Sequence, residues 1–244
     1  MPSAIGAMGL CKDGQLIVAL EAEGLCFFQP KNGGMQPFVD PVLACGGASE
    51  PGRYNDGQVD AQGNFWVGWL THSRKSAGAL YRIDPSGAVH KVLSDPIAPN
   101  GLGWSPDNNI MYVTDSHINT IWAYDCDLAT GDLGPRRLLA CQPRGLGIFD
   151  GLSVDENGNI WTALYGGAAI IGFSPDGDQI GKVTVPVKLV TACTFGGPDL
   201  KNMYITTAIR GQSPEELRGQ PLAGALFSHA AHFSGAATNY FANR

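Results

Sequence analysis

Charge is scarce in this chain: 16% of its residues are Asp, Glu, Lys or Arg, and 22 acidic side chains outnumber 16 basic ones. No basic stripe interrupts the scattered carboxylates, which excludes nucleic acid as a partner. Long apolar runs are missing as well. Nothing approaches the eighteen or so residues of a membrane span, and MPSAIGAMGL lacks the charged start and long apolar stretch of a secretion signal. A soluble, cytoplasmic protein with no membrane partner is the expectation.

Paired cysteine spacing is absent too. The six cysteines, Cys11, Cys26, Cys45, Cys126, Cys141 and Cys193, form no C-x-x-C motif, so a zinc knuckle or thioredoxin-type site is not expected. Cys11, Cys26 and Cys193 fall in apolar strand contexts and are read as small buried hydrophobes. A disulfide between loop cysteines is disfavoured in a cytosolic setting. No G-x-S-x-G elbow marks a serine nucleophile. No long 3.6-period stretch competes with strands; the one helix candidate is Ser213–Arg218, where Ser-Pro-Glu-Glu can cap a short turn.

What the chain does have is repetition. Asp13, Asp60, Asp107, Asp155 and Asp199 each sit in a turn just before a short aliphatic and aromatic strand, at intervals of roughly 47 residues. Three repeats continue into a second strand and an Asp-containing turn: GALYRIDPSG, IWAYDCDLATG and AIIGFSPDGD. Alternating apolar and polar residues bounded by Gly, Pro, Asp and Ser read as half-buried antiparallel strands. A period in the forties built from strands and turns signals an all-β fold, a β-propeller with about five blades, spanning residues 1–244 as a single domain. The 33 glycines fit tight turns recurring in every blade.

In a propeller, residues at the ends of the innermost strands meet at the channel mouth. The segments ahead of three repeat turns, RYNDG, PNGL and FDGL, place Asn55, Asn100 and Asp150 five, seven and five residues before their repeat aspartates. Two amide oxygens and a carboxylate suit a hard or borderline divalent cation. Asn-Gly and Asp-Gly are also ordinary turn formers, but three in register argue for a common pocket. His72, after NFWVGWL, either reaches that mouth or is a solvated loop residue; His117 is read as surface turn, and the His229–His232 spacing as accidental. Trp66, Trp69, Trp104, Trp122 and Trp161 read as packing between blades.

These motifs carry a resemblance. RYNDGQVD, PNGLGWSPD, DGLSVD followed by GNIWTA, and CTFGGPD occur in order, and with PLAGALF the chain resembles the gluconolactonase and regucalcin (senescence marker protein) family of six-bladed propellers from about residue 4 to Leu226. Within that family it looks closest to bacterial sugar lactonases. The resemblance implies one divalent metal ion (Ca, Zn, Mn, Mg or Fe(II)), with Asn100 and Asp150 as ligands and Asp150 as general base. It also implies that Arg53 and Asn55 hold the substrate. Asp56 and Asp115 are expected to brace turns or strands.

The implied chemistry is metal-assisted hydrolysis of a sugar lactone, such as glucono- or xylonolactone, to the aldonic acid. The alternatives are a non-catalytic calcium-binding regulator and an inactive propeller scaffold for protein interaction. One departure stands out: the family's first blade, with the Glu ligand of its Gly-Glu-Gly-Pro or Gly-Glu-Ser-Pro motif, has no counterpart in this sequence. Ser49-Glu50-Pro51 directly precedes Arg53, in the wrong blade for that motif, and reads as loop. Glu21 and Glu23 read as residues within the first repeat's strands. A five-unit chain is expected to close, to leave an edge, or to associate with another copy through an open blade edge.

Overall fold

The computed structural model describes residues 3–21 and 23–243. Turns built on Asp and Gly divide the chain into successive short strands. The first sheet comprises β1 (Ile5–Leu10), β2 (Leu16–Leu20), β3 (Gly24–Gln29) and β4 (Gly34–Val39). The second comprises β5 (Gly52–Val59), β6 (Phe65–Thr71), β7 (Ala79–Ile83) and β8 (Val89–Leu93). β9 (Pro99–Trp104), β10 (Ile110–Asp115), β11 (Thr120–Asp127) and β12 (Asp132–Cys141) form the third, and β13 (Ile148–Val154), β14 (Ile160–Tyr165), β15 (Ala169–Phe173) and β16 (Gln179–Thr184) the fourth. β17 (Val190–Gly196), β18 (Asn202–Thr207) and β19 (Phe227–Ala230) complete a three-stranded fifth. In every sheet, strands adjacent in sequence are hydrogen-bonded neighbours. These are the expected five propeller blades, each an up-and-down meander.

The middle strands depart from simple alternation. All seven residues of β6 are buried, as are five of the six in β14. Such a strand is covered on both faces, so it reads as a continuous apolar run rather than as an in–out pattern. The fourth strands β8 and β16 are largely wet. Helices are minor. Pro41–Ala44 makes one turn, α1, capped by Asp40. α2 (Pro214–Arg218) carries the expected capping box between Ser213 and Glu216. No helix among the described residues is long and apolar enough to cross a membrane.

Two compact units divide the chain. The first runs up to Asn100 and adds Tyr124–Pro135 and the segment from Thr238 onward. Its core joins Ile17, Ala19 and Leu25 of the first sheet to Phe65, Val67, Tyr81 and Ile83 of the second. Phe241 plugs that core, with its ring centroid 6.0 Å from that of Phe27 and 5.9 Å from that of Phe38. The second unit comprises Gly101–Ala123 and Arg136–Ala237. Phe149, Ile160 and Ile171 centre one of its clusters; Trp161, Val190, Phe195 and Met203 centre another, where Phe233 stacks on Trp161 at 4.7 Å.

The repeat aspartates occupy two phases of the turn. Asp60 and Asp155 end their inner strands: the N–H of each bonds the carbonyl four residues on, at 2.9 Å in both cases. Cys11 and Ser105 fill that place in the first and third sheets, with N–H bonds to Gln15 O at 3.0 Å and Ile110 O at 2.9 Å. Asp13, Asp107 and Asp199 lie two residues further on and form Asx turns, accepting from the N–H of Gln15, Asn109 and Lys201 at 2.9, 3.2 and 3.2 Å. Counted from Ser105 rather than Asp107, Asn100 regains the five-residue spacing of Asn55 and Asp150.

Candidate functional site

The inner strands are bulged at one place. Between β5 and β6 the register shifts from Tyr54↔Trp69 to Gly57↔Val67, so that Asn55 and Asp56 together oppose Gly68. Between β13 and β14 it shifts from Phe149↔Leu164 to Leu152↔Thr162, so that Asp150 and Gly151 oppose Ala163. Asn55 and Asp150 are therefore the same residue of the same bulge in two blades. β-bulges re-aim side chains and gather at functional sites. The first and fifth sheets shift register there too, at Gly6 and at Thr191.

Glycines at this level are a steric requirement. A Cβ on Gly101 would stand 2.4 Å from Leu152 N and 2.7 Å from Asp150 O, and one on Gly151 would meet Thr191 O at 2.9 Å. In the first unit a Cβ on Gly6 would lie 2.5 Å from Tyr54 O and 2.7 Å from Asn55 O. Within each unit, neighbouring inner strands touch backbone to backbone at their bulges. In the second unit Gly101 and Gly151 allow that approach, each just after a polar residue, Asn100 or Asp150; in the first unit Gly6 allows it.

Arg53, Asn55, Asn100 and Asp150 are each half-buried. Arg53 Nη1 donates to Tyr54 O at 3.2 Å, and its Nε lies 3.8 Å from Glu21 Oε1. Asn55 Nδ2 donates to Pro99 O at 2.8 Å, which commits its donor side to β9 and fixes the amide plane. In the first unit the structure thus pairs Arg53 with Glu21 and ties Asn55 to Pro99; in the second it sets Asp150 on a bulge against Gly101, the residue that follows Asn100. Asp56 accepts from Gly57 N–H at 2.8 Å, and burial pushes its carboxyl up to about 6, partly offset by that bond. Asp115 accepts from His117 N–H at 3.0 Å. Both brace their turns as expected.

Two residues escaped the reading of the sequence. Glu21, taken for an ordinary strand residue, reaches Arg53. Thr191 occupies the fifth blade's bulge, with its hydroxyl 2.7 Å from that of Thr206; V-T-A-C at the place of F-D-G-L was the available signal. His72, His90, His229 and His232 are exposed. Cys11, Cys26 and Cys193 are buried, and burial raises the Cys11 thiol to about 11, far from reactive. Among the described residues no three His, Cys, Asp or Glu gather as a metal centre. Asn100 belongs to the first unit and Asp150 to the second; an amide oxygen and a carboxylate are each donors of the kind that suits a hard ion.

The family pattern described as SMP-30/Gluconolactonase/LRE-like region matches residues 1–209. The chain belongs to this family. It is 35% identical over 178 residues to the putative sugar lactone lactonase YvrE of Bacillus subtilis, covering 72% of this chain and 61% of that protein. With the 6-deoxy-6-sulfogluconolactonase of Pseudomonas putida it shares 33% identity over 244 residues, covering 99% of this chain and 82% of that protein. The crystal structure of regucalcin from Agrobacterium tumefaciens, a calcium-binding protein, superposes with a TM-score of 0.88 at 24% identity, over all of this chain and 81% of that one. This SMP-30/gluconolactonase family member thus spans less than two thirds of YvrE and most of the other two.

Proposed function

We propose that this chain hydrolyses a sugar lactone to the open-chain aldonic acid with the help of one divalent cation. The observation that supports the reading most is the shared bulge, which presents Asn55 and Asp150 from equivalent positions of their inner strands, the first of them two residues from the guanidinium-bearing Arg53. Membership of a family with named lactonases supports it further.

In this reading Asp150 accepts a proton from the attacking water as the water oxygen bonds the lactone carbonyl carbon. The ring C–O bond then breaks and the ring oxygen takes up a proton, leaving a hydroxy acid. Arg53 donates to substrate oxygens and favours the negative charge that develops on the carbonyl oxygen. Asn55, its Nδ2 engaged by Pro99, offers Oδ1 to a sugar hydroxyl. Asn100 and Asp150 would hold the cation, which supplies Lewis-acid polarisation when bound.

The test is acid release from gluconolactone by the purified chain, above the spontaneous rate, with and without added divalent metal. Asp150→Ala should remove the excess, since losing a general base alone costs about 10²–10⁴-fold. An undiminished rate in that variant rules the assignment out. Calcium binding without turnover of any lactone would instead favour the regulator reading, which the name of the Agrobacterium protein makes the main competitor.

A further inference from the structure

The first unit contains an ion pair that no motif announced. β1 lies on the bulge of β5, with Gly6 against the carbonyls of Tyr54 and Asn55. Glu21, directly after β2, is anchored at that same end by its N–H to Ala4 O at 2.8 Å. Its carboxylate Oε1 stands 3.8 Å from Arg53 Nε, while Nη1 of the same guanidinium donates to Tyr54 O. Arg53 is thereby held from two sides. The two side chains are 21% and 34% exposed, so the pair is open to an arriving ligand.

An unpaired arginine beside a substrate subsite attracts anions. Paired with a carboxylate the guanidinium stays protonated, but the pair as a whole carries no net charge, and an incoming anion also meets Glu21. We propose that Glu21 is a specificity-determining residue: by balancing the charge of Arg53 it makes the site select uncharged sugar lactones and reject lactones bearing an anionic substituent such as a sulfonate. The inference rests on the reading that Arg53 contacts the lactone. It adds a substrate class to that reading, set by a residue outside the motifs of the resemblance.

The test compares kcat/KM for gluconolactone with kcat/KM for gluconolactone sulfonated at its terminal carbon. The wild-type protein should prefer the neutral lactone. Glu21→Gln keeps the size of the side chain and removes its charge. A unit charge about 6 Å from an anion in partly wet surroundings should raise the sulfonated-to-neutral ratio by roughly three- to tenfold. The gain should shrink in high salt, as screening requires. Glu21→Asp, which keeps the charge, should hold the ratio near the wild-type value, and Glu21→Gln combined with Arg53→Gln should lose the gain.

A ratio unmoved by Glu21→Gln, or moved equally by Glu21→Asp, overturns the proposal, because packing rather than charge would then be at work. A wild-type protein that turns over the sulfonated lactone faster than the neutral one overturns it without any variant, even if Glu21→Gln fails to fold. Turnover of neither lactone by the wild type overturns the lactonase reading itself, an outcome distinct from the first two.

Discussion

Trp66 Nε1 donates to Asp60 Oδ2 at 2.7 Å, and two blades later Trp161 repeats the bond to Asp155 at 3.0 Å. Each carboxylate is fully buried and saturated. Asp60 Oδ1 accepts from the N–H of Gln62 and Asn64, and Oδ2 also from Asn64 Nδ2, all at 2.9 Å. Asp155 matches this with Asn157, Asn159 and Asn159 Nδ2. The pattern Asp-x-x-x-Asn-x-Trp is thus a staple that ties the turn between first and second strands to an indole in the core.

Removing the carboxylate orphans four donors at once. Asp60→Ala should therefore destabilise the protein by roughly 3–5 kcal/mol, the range for breaking a buried charged network. Trp66→Phe, which removes one donor and keeps most of the packing, should cost about 1–3 kcal/mol. Urea unfolding of both variants checks the order. Equal losses would mean that ring packing, not the carboxylate, holds the turn.

How much of this was legible follows from the range of each interaction. Asp turns announce themselves because their bonds span two to four residues, so the blade count and the capping box of α2 could be read directly. The two-residue phase between Asp60 and Asp107 could not, since an Asx turn forms at either place. Asn100 and Asp150 stood out because a close backbone approach needs a small residue beside them, written as Gly in PNGL and FDGL, whereas Asn55 is followed by Asp56 and stood out by its five-residue spacing from Asp60. Thr191 is followed by Ala and left no such mark. Glu21 meets Arg53 only because two blades pack at Gly6, and no local pattern encodes that contact.

The C-terminal segment is the clearest case of structure outrunning sequence. Beyond Leu226 the family motifs end, yet Phe241 N–H donates to Leu10 O at 2.8 Å, Ala242 N–H to Gly63 O at 3.1 Å, and Asn239 Nδ2 to Val59 O at 3.1 Å. Phe241 is fully buried among Phe27 and Phe38. Phe241→Ala should cost about 3–5 kcal/mol, whereas Tyr240→Ala, at an exposed neighbour, should stay within about 0.5 kcal/mol. Thermal or urea unfolding decides; indistinguishable variants would mean the segment is not part of the cooperative unit.

Backbone contact at the bulges gives a test that links packing to activity. In Gly101→Ala the new methyl would sit 2.4 Å from Leu152 N and 2.7 Å from Asp150 O, and neither atom can swing aside as a side chain would. The strand carrying Asp150 must shift. We expect a loss of about 1–3 kcal/mol in stability and, under the lactonase reading, a fall in kcat of about 10²-fold, as for a catalytic group displaced by about 1 Å. Gly145→Ala, where nothing lies within 4 Å, is the control and should be neutral in both respects. Retained kcat in Gly101→Ala would separate Asp150 from the chemistry.

Asp56 offers a prediction in pH. Burial raises its carboxyl from an ordinary 3.8 to about 6 in the folded protein, so between those values the native state binds more proton than the unfolded chain. Stability contributed by this group must therefore fall as pH rises from about 4 through about 6, because folding disfavours the ionised form. Asp56→Asn keeps an Oδ1 to accept from Gly57 N–H and abolishes the titration. Above pH 6 the variant should be more stable than wild type by about 1–3 kcal/mol, the equivalent of a shift of this size discounted for partial solvation. Near pH 4 the two should converge. Unfolding free energies measured across that range check the sign: a variant that is less stable at neutral pH would mean the ionised carboxylate is held favourably by its surroundings, and that the bulge prefers a charge at this position.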